Sequence, residues 1–205
     1  IRNYYMIETW IPITILAAFS QNLRSAYQRK LQFNVTSIIS TYTRFLFGLP
    51  FVFIYFLVIY NFSNSAFHIT NYNLIFFIYC FIGGVSQIIA TFLLLRMFIN
   101  NNFSVATAYS KTEPIQAAVF AFILFNESIS LNGVIGIVIG LIGIITISLK
   151  KVELSYAFMN LSVFKGLLSA ALFGLSAVLF RAASHNLNSV DYILSSSFTL
   201  LIVLI

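Results

Sequence analysis

The sequence predicts an all-α fold, a polytopic transmembrane helical bundle, and three observations carry that prediction. Of its 205 residues 60% are hydrophobic and 8% charged, against roughly 45–50% and 25% in a soluble domain. Mean hydropathy is +0.96. The apolar residues also fall into runs near 20 residues, the length that about 30 Å of hydrocarbon demands of a helix. So few charges cannot clothe a soluble surface. The net charge of +6 is read as loop charge near anionic lipid, not as a nucleic-acid footprint, and no nucleic-acid partner is expected.

The first span begins at Trp10 and passes through Ser20 into a polar end with Gln21, Asn22, Arg24 and Arg29. No small-residue cleavage site follows it, which argues against a signal peptide. Met6 stands just ahead of Glu8, Thr9 and Trp10, so residues 1–5 either belong to the chain or precede its initiation site. The second span runs from Ile38 to Tyr60, the third from Leu74 to Met97 and the fourth from Phe103 to Phe125, separated by polar segments. Asn126 to Ser130 makes a tight turn into the fifth, Leu131 to Leu149, which closes on Lys150 and Lys151. The sixth runs from Phe164 to Arg181, and Asp191 opens a seventh that is still apolar at Ile205. A helix cut within its apolar run reads as the end of a fragment. Pairing Ala18 with Ala170 also pairs Leu23 with Leu175 and Arg29 with Arg181. That echo makes the sixth span the counterpart of the first. A repeat of five spans places its second copy upside down, as in many secondary transporters, and gives a parent of ten spans.

The fourth span carries the chemistry. Lys111 and Glu113 sit within an apolar stretch and Pro114 follows. An ionisable residue at that depth costs about 2.5–3.5 kcal/mol on insertion scales and faces a partner or a water-filled cavity. Pro114 lacks an N–H for the Ser110 carbonyl and should kink the helix. By helical spacing Tyr109, Glu113 and Gln116 share one face and Lys111 points nearly opposite. Either the Glu113 face lines a substrate pathway, or each charge is a structural partner of another helix. Arg44 in the second span either neutralises Glu113 or snorkels to an interface. Gln87 and Thr91 of the third span either wall the same cavity or bond between helices. Asn22 with Gln21 and Arg24 lines it as well, unless they are an interfacial helix end. Gly133, Gly136, Gly140 and Gly143 mark a smooth packing face on the fifth span, and Gly166, Ala170 and Gly174 repeat the device on the sixth. These faces meet within one chain or between two, as in a homodimer.

What is missing also counts. His68 and His185, both assigned to loops, belong to no metal-ligand cluster, no phosphate loop is present, and the lone Cys80 lies in an apolar run. No catalytic residue, metal or cofactor is expected. Beside a transporter stand two other readings, a membrane-embedded lipid-handling enzyme and a non-transporting assembly subunit.

The stretch from Phe103 to Lys151 resembles the EamA-type repeat of the drug/metabolite transporter superfamily. The resemblance rests on Ala106, Ala108, the segment Tyr109-Ser110-Lys111-Thr112-Glu113-Pro114, Glu127, Gly136, Gly140 and Gly143. Trp10 to Thr14, Gln21 to Ser25, Arg44 to Pro50, and Gln87 with Thr91 extend it. It implies a first five-helix repeat over residues 6–151 and the start of a second over 162–205. It further implies alternating access around a central cavity in a bacterial inner membrane. The cargo would be a small metabolite, amino acid or drug, exported or exchanged. Apart from the resemblance, a carboxylate at the depth of Glu113 gives a means of coupling to protons. Arg24, Arg29, Lys30, Arg96, Lys150, Lys151 and Lys165 share one face of the alternating topology and Arg2 and Arg181 the other. By the positive-inside rule this puts the N-terminus outside, whereas the resemblance implies a cytoplasmic one.

Overall fold

The computed structural model describes residues 10–62, 73–100, 109–149, 161–187 and 192–204. Within them the chain forms seven helices: α1 Trp10–Leu31, α2 Ser37–Phe62, α3 Leu74–Asn100, α4 Glu113–Phe125, α5 Leu131–Leu149, α6 Leu161–Asn186 and α7 Tyr192–Leu204. No strand occurs among the described residues, so the all-α bundle expected from composition is the one observed. Asp191 and His68 lie outside the described residues.

The surface is that of a protein dissolved in lipid. Phe51 of α2 is 74% exposed and Phe81 of α3 72%, while the buried set is rich in small hydroxyl side chains, among them Ser40, Thr91, Ser169, Ser195, Ser197 and Thr199. Water would penalise the first group, and hydrocarbon would penalise the second if it faced out. Several of the buried hydroxyls are satisfied within the bundle. Thr199 bonds the Ser195 carbonyl one turn back at 2.9 Å, and Ser169 reaches across from α6 to the Ala90 carbonyl of α3 at 2.8 Å.

Among the described residues three helices are long and apolar enough to cross a membrane, over Ser37–Phe62, Leu74–Ile99 and Phe164–Asn186. α1 is one 22-residue helix, but Gln21, Asn22, Arg24, Gln28, Arg29 and Lys30 make its second half polar. α6 reaches Asn186, beyond the expected end at Arg181, so His185 lies in its last turn and not in a loop.

The fourth span departs most from expectation. Tyr109 and Ser110 are helical, Lys111 and Thr112 form a turn, and α4 starts afresh at Glu113. Pro114 therefore sits in the first turn of a new helix, where its missing N–H leaves nothing unpaired, instead of kinking a continuous one. α4 ends at Asn126, whose left-handed φ of 52° turns its N–H onto the Phe122 carbonyl at 2.9 Å.

α3 and α6 form the centre of the bundle. α4 and α7 lie against α6, and α2 lies against α7 and α3. Small residues permit this. A Cβ on Gly83 of α3 would lie 2.5 Å from the Phe180 ring of α6, and one on Gly166 would lie 2.6 Å from Tyr109 Cβ. Phe76 and Cys80 of α3 pack with Ala183 and Leu187 to close one end of the core.

The glycine face of α5 behaves differently. Nothing lies within 4 Å of a Cβ built on Gly136, Gly140 or Gly143, and at Gly133 the neighbours are Ile129 and Ser130 of the preceding turn. The face borders an apolar groove of about 340 Å³ shared with Pro114 and Ile115 of α4. Within the described residues these glycines do not bring α5 close to another helix. Gly140→Ala is expected to leave the thermal unfolding midpoint of the detergent-purified protein unchanged or raised, by at most about 1 kcal/mol of helix propensity. A lowered midpoint would mean that this face is packed.

Candidate functional site

The break between Ser110 and Glu113 opens onto a cavity of about 530 Å³. α1 contributes Ser20, Gln21, Arg24, Ser25 and Gln28, a single stripe at helical spacing, together with Asn22. α2 contributes Arg44 and α3 contributes Gln87. The break supplies Ser110, Lys111 and Glu113, and α6 adds Phe173, Ser176, Ala177 and Phe180.

The geometry at Arg44 is the most defined. Its Nη1 donates to Thr91 Oγ1 at 2.8 Å, and Thr91 in turn donates to the Gln87 carbonyl at 2.8 Å, joining α2 to α3. The guanidinium carbon lies 5.4 Å from the ring centroid of Phe45 and 5.8 Å from that of Phe173. Rings at that distance hold a guanidinium through cation–π attraction and limit its rotation. Arg44 is thus hydrogen-bonded to Thr91 and not paired with Glu113. The ion pair recorded among the described residues is elsewhere, between Arg181 Nη1 of α6 and Glu127 Oε2 in the α4–α5 turn at 2.8 Å. Both partners are partly exposed, so it contributes about 0–1 kcal/mol.

Thr112 ties the break together. Its hydroxyl donates to the Tyr109 carbonyl at 2.7 Å and accepts from Gln116 Nε2 at 3.3 Å. The turn also removes the 100° step per residue on which a helical-face reading depends, so Lys111 and Glu113 border the same cavity, while Lys111 also borders the groove against α5 that Glu113 does not reach.

Of the residues nominated from sequence, Asn22, Arg44, Gln87, Lys111 and Glu113 line this cavity. Tyr109 and Gln116 do not. Tyr109 packs against the buried cluster of Leu95, Met97 and Phe98 and lies over Gly166. Gln116 turns back to Thr112, and its Oε1 is buried. Sequence reasoning missed the α6 wall. Its signal was present, since Phe173, Ser176, Ala177 and Phe180 recur at i, i+3, i+4 and i+7, but the small residues of α6 drew attention to packing.

A lipid-facing helical bundle with a polar, charge-bearing cavity at a helix discontinuity defines an integral membrane protein of the transporter class. Residues 8–149 match the EamA-like transporter family, and the chain belongs to that family. No curated protein and no solved structure matches the chain.

Proposed function

We propose that the protein is a secondary transporter that moves a small polar or amphipathic metabolite by alternating access, with the cavity between α1, α2, α3, α6 and the Lys111–Thr112 break as its substrate pathway. The observation that carries this reading is the convergence of Asn22, Arg44, Gln87, Lys111 and Glu113, from four separate chain segments, on one cavity. Its volume falls in the range of small-ligand sites, roughly 300–1,000 Å³. Broken helices at membrane depth are where secondary transporters place their substrates. In this reading residues 6–151 are a first five-helix repeat and residues 162–205 open an inverted second, in a bacterial inner membrane. Glu113 accepts and releases the coupling proton.

Ala177 is exposed to the cavity, so a bulky replacement there fills space without disturbing packing. Ala177→Trp is expected to reduce flux of the cargo in reconstituted vesicles by about tenfold or more while the purified protein keeps its unfolding midpoint, as expected when a pathway is occluded. In the same vesicles an imposed pH gradient should drive accumulation, and Glu113→Gln should remove that drive. Unchanged flux with Ala177→Trp would dispose of the pathway, and a pH-driven Glu113→Gln protein would dispose of the coupling.

A further inference from the structure

Among the described residues the charges around the cavity do not balance. Arg24, Arg44 and Lys111 bring three positive charges to its wall and Glu113 one negative, leaving +3 − 1 = +2. Excess charge in a low-dielectric setting is costly unless it is compensated, and a cleft lined by one sign concentrates ligands of the other. Arg44 makes no direct ion-pair contact among the described residues: its recorded hydrogen bond goes to a neutral hydroxyl, and Glu113 attracts it only from beyond contact distance while Arg24 repels it.

Arg44 is also prepared for a particular shape of partner. A guanidinium carries five N–H donors in a planar fork that matches a carboxylate, and Thr91 takes one of them. The Phe45 and Phe173 rings and the Thr91 bond fix the head group beforehand, which reduces the ordering entropy that a ligand would otherwise have to offset. Phe173 and Phe180 supply apolar wall for the rest of the molecule.

We infer, resting on the transporter reading above, that the substrate is a small organic anion, and that Arg44 is its carboxylate clamp while Lys111 and Arg24 hold the net charge of the cavity positive. Glu113 opposes the ligand, which gives the inference a signature of definite sign.

The test uses the purified protein in phosphatidylcholine nanodiscs and a panel of benzoate, phenylacetate, succinate and glutarate, each with its amide and the amine of the same carbon skeleton. Binding is read as the rise in unfolding midpoint and then by calorimetry for the strongest binder. At least one carboxylate should bind, about tenfold or more tighter than its amide, as expected of a charge-assisted bond in a partly dry site, and the amines should not bind. Arg44→Gln should weaken that carboxylate by about tenfold or more, and Arg44→Lys should restore only part of the loss. Glu113→Gln should tighten it by several-fold, since a repulsive charge is removed. Should Arg44→Gln fail to fold, the Glu113→Gln result decides. Binding by none of the carboxylates, equal binding by an amine, or weaker binding in Glu113→Gln overturns the inference. Loss of carboxylate binding in phosphatidylglycerol nanodiscs also overturns it, because the anion would then be a lipid head group. Flux of a neutral or cationic metabolite that Ala177→Trp blocks removes the anion and leaves the transporter standing. No flux of any cargo removes both.

Discussion

Gly174→Leu is expected to abolish the folded bundle. A Cβ at position 174 would lie 2.8 Å from the Ala117 nitrogen, 3.2 Å from Ala117 Cα and 3.2 Å from the Glu113 carbonyl oxygen. All three are backbone atoms of α4, which cannot rotate away as a side chain does. The whole of α4 must retreat from α6, and with it Glu113, which borders the cavity. Overpacking a tight core costs about 1–3 kcal/mol where side chains can adjust, and here they cannot, so about 3 kcal/mol or more is expected. The measurement is the thermal unfolding midpoint and monodisperse yield in detergent. Gly174→Ala should already lower the midpoint, because the first added carbon meets the clash. Gly140→Ala provides the internal control, with the same chemical change on a helix face that touches nothing within 4 Å. A Gly174→Leu protein with a native midpoint would mean that α4 does not sit against α6 as described.

The two glycines show what could be read from the sequence and what could not. Small residues at three- and four-residue spacing occur on both α5 and α6, and spacing alone ranks the longer α5 series as the stronger packing face. Only the positions of neighbouring helices decide the matter, and those follow from long-range contacts that no local pattern contains. Most of the spans were legible because length and hydropathy fix them, whereas the fourth, read as continuous from Phe103, is interrupted at Lys111–Thr112 and α4 starts only at Glu113. Arg44, Glu113 and Lys111 were legible for a related reason, since charge is expensive in hydrocarbon and marks its own position.

The fourth span is not one continuous helix, and the side-chain faces expected of it change accordingly. Tyr109, Glu113 and Gln116 share a face only on an unbroken helix, and the Lys111–Thr112 turn interrupts it. Tyr109 consequently belongs to the segment that packs on Leu95, Met97 and Phe98, while Glu113 belongs to α4. The polar half of α1 is ambiguous for a different reason. A stripe of Ser20, Gln21, Arg24, Ser25 and Gln28 looks the same whether it meets interfacial water or a cavity, and only the helices opposite distinguish the two.

Pro114→Ala is expected to keep or raise stability and to suppress transport, an opposition that a simple folding defect would not produce. In the present structure Thr112 caps α4 with φ −77° and ψ −5° and makes no side-chain cap bond, so the start of α4 depends on proline's tolerance of the first turn. Proline also keeps α4 from joining the preceding turn, because it has no N–H for the Ser110 carbonyl and its ring crowds that oxygen. Alanine restores the donor and relieves the crowding, and residues 109–125 can then form one helix. Two positions on a continuous helix stand about 200° apart, so Lys111 would swing away from Glu113 and leave the cavity wall. The cavity would lose one of its three positive charges. Flux in reconstituted vesicles should fall by about tenfold or more, as geometric misplacement of a binding group commonly does, while the unfolding midpoint holds or rises. Crosslinking between cysteines placed at positions 111 and 24 should weaken in parallel, since Lys111 borders the cavity that Arg24 lines only while the turn persists. Full transport by Pro114→Ala would show that the break is a consequence of packing α4 against α6 and has no part in moving the substrate.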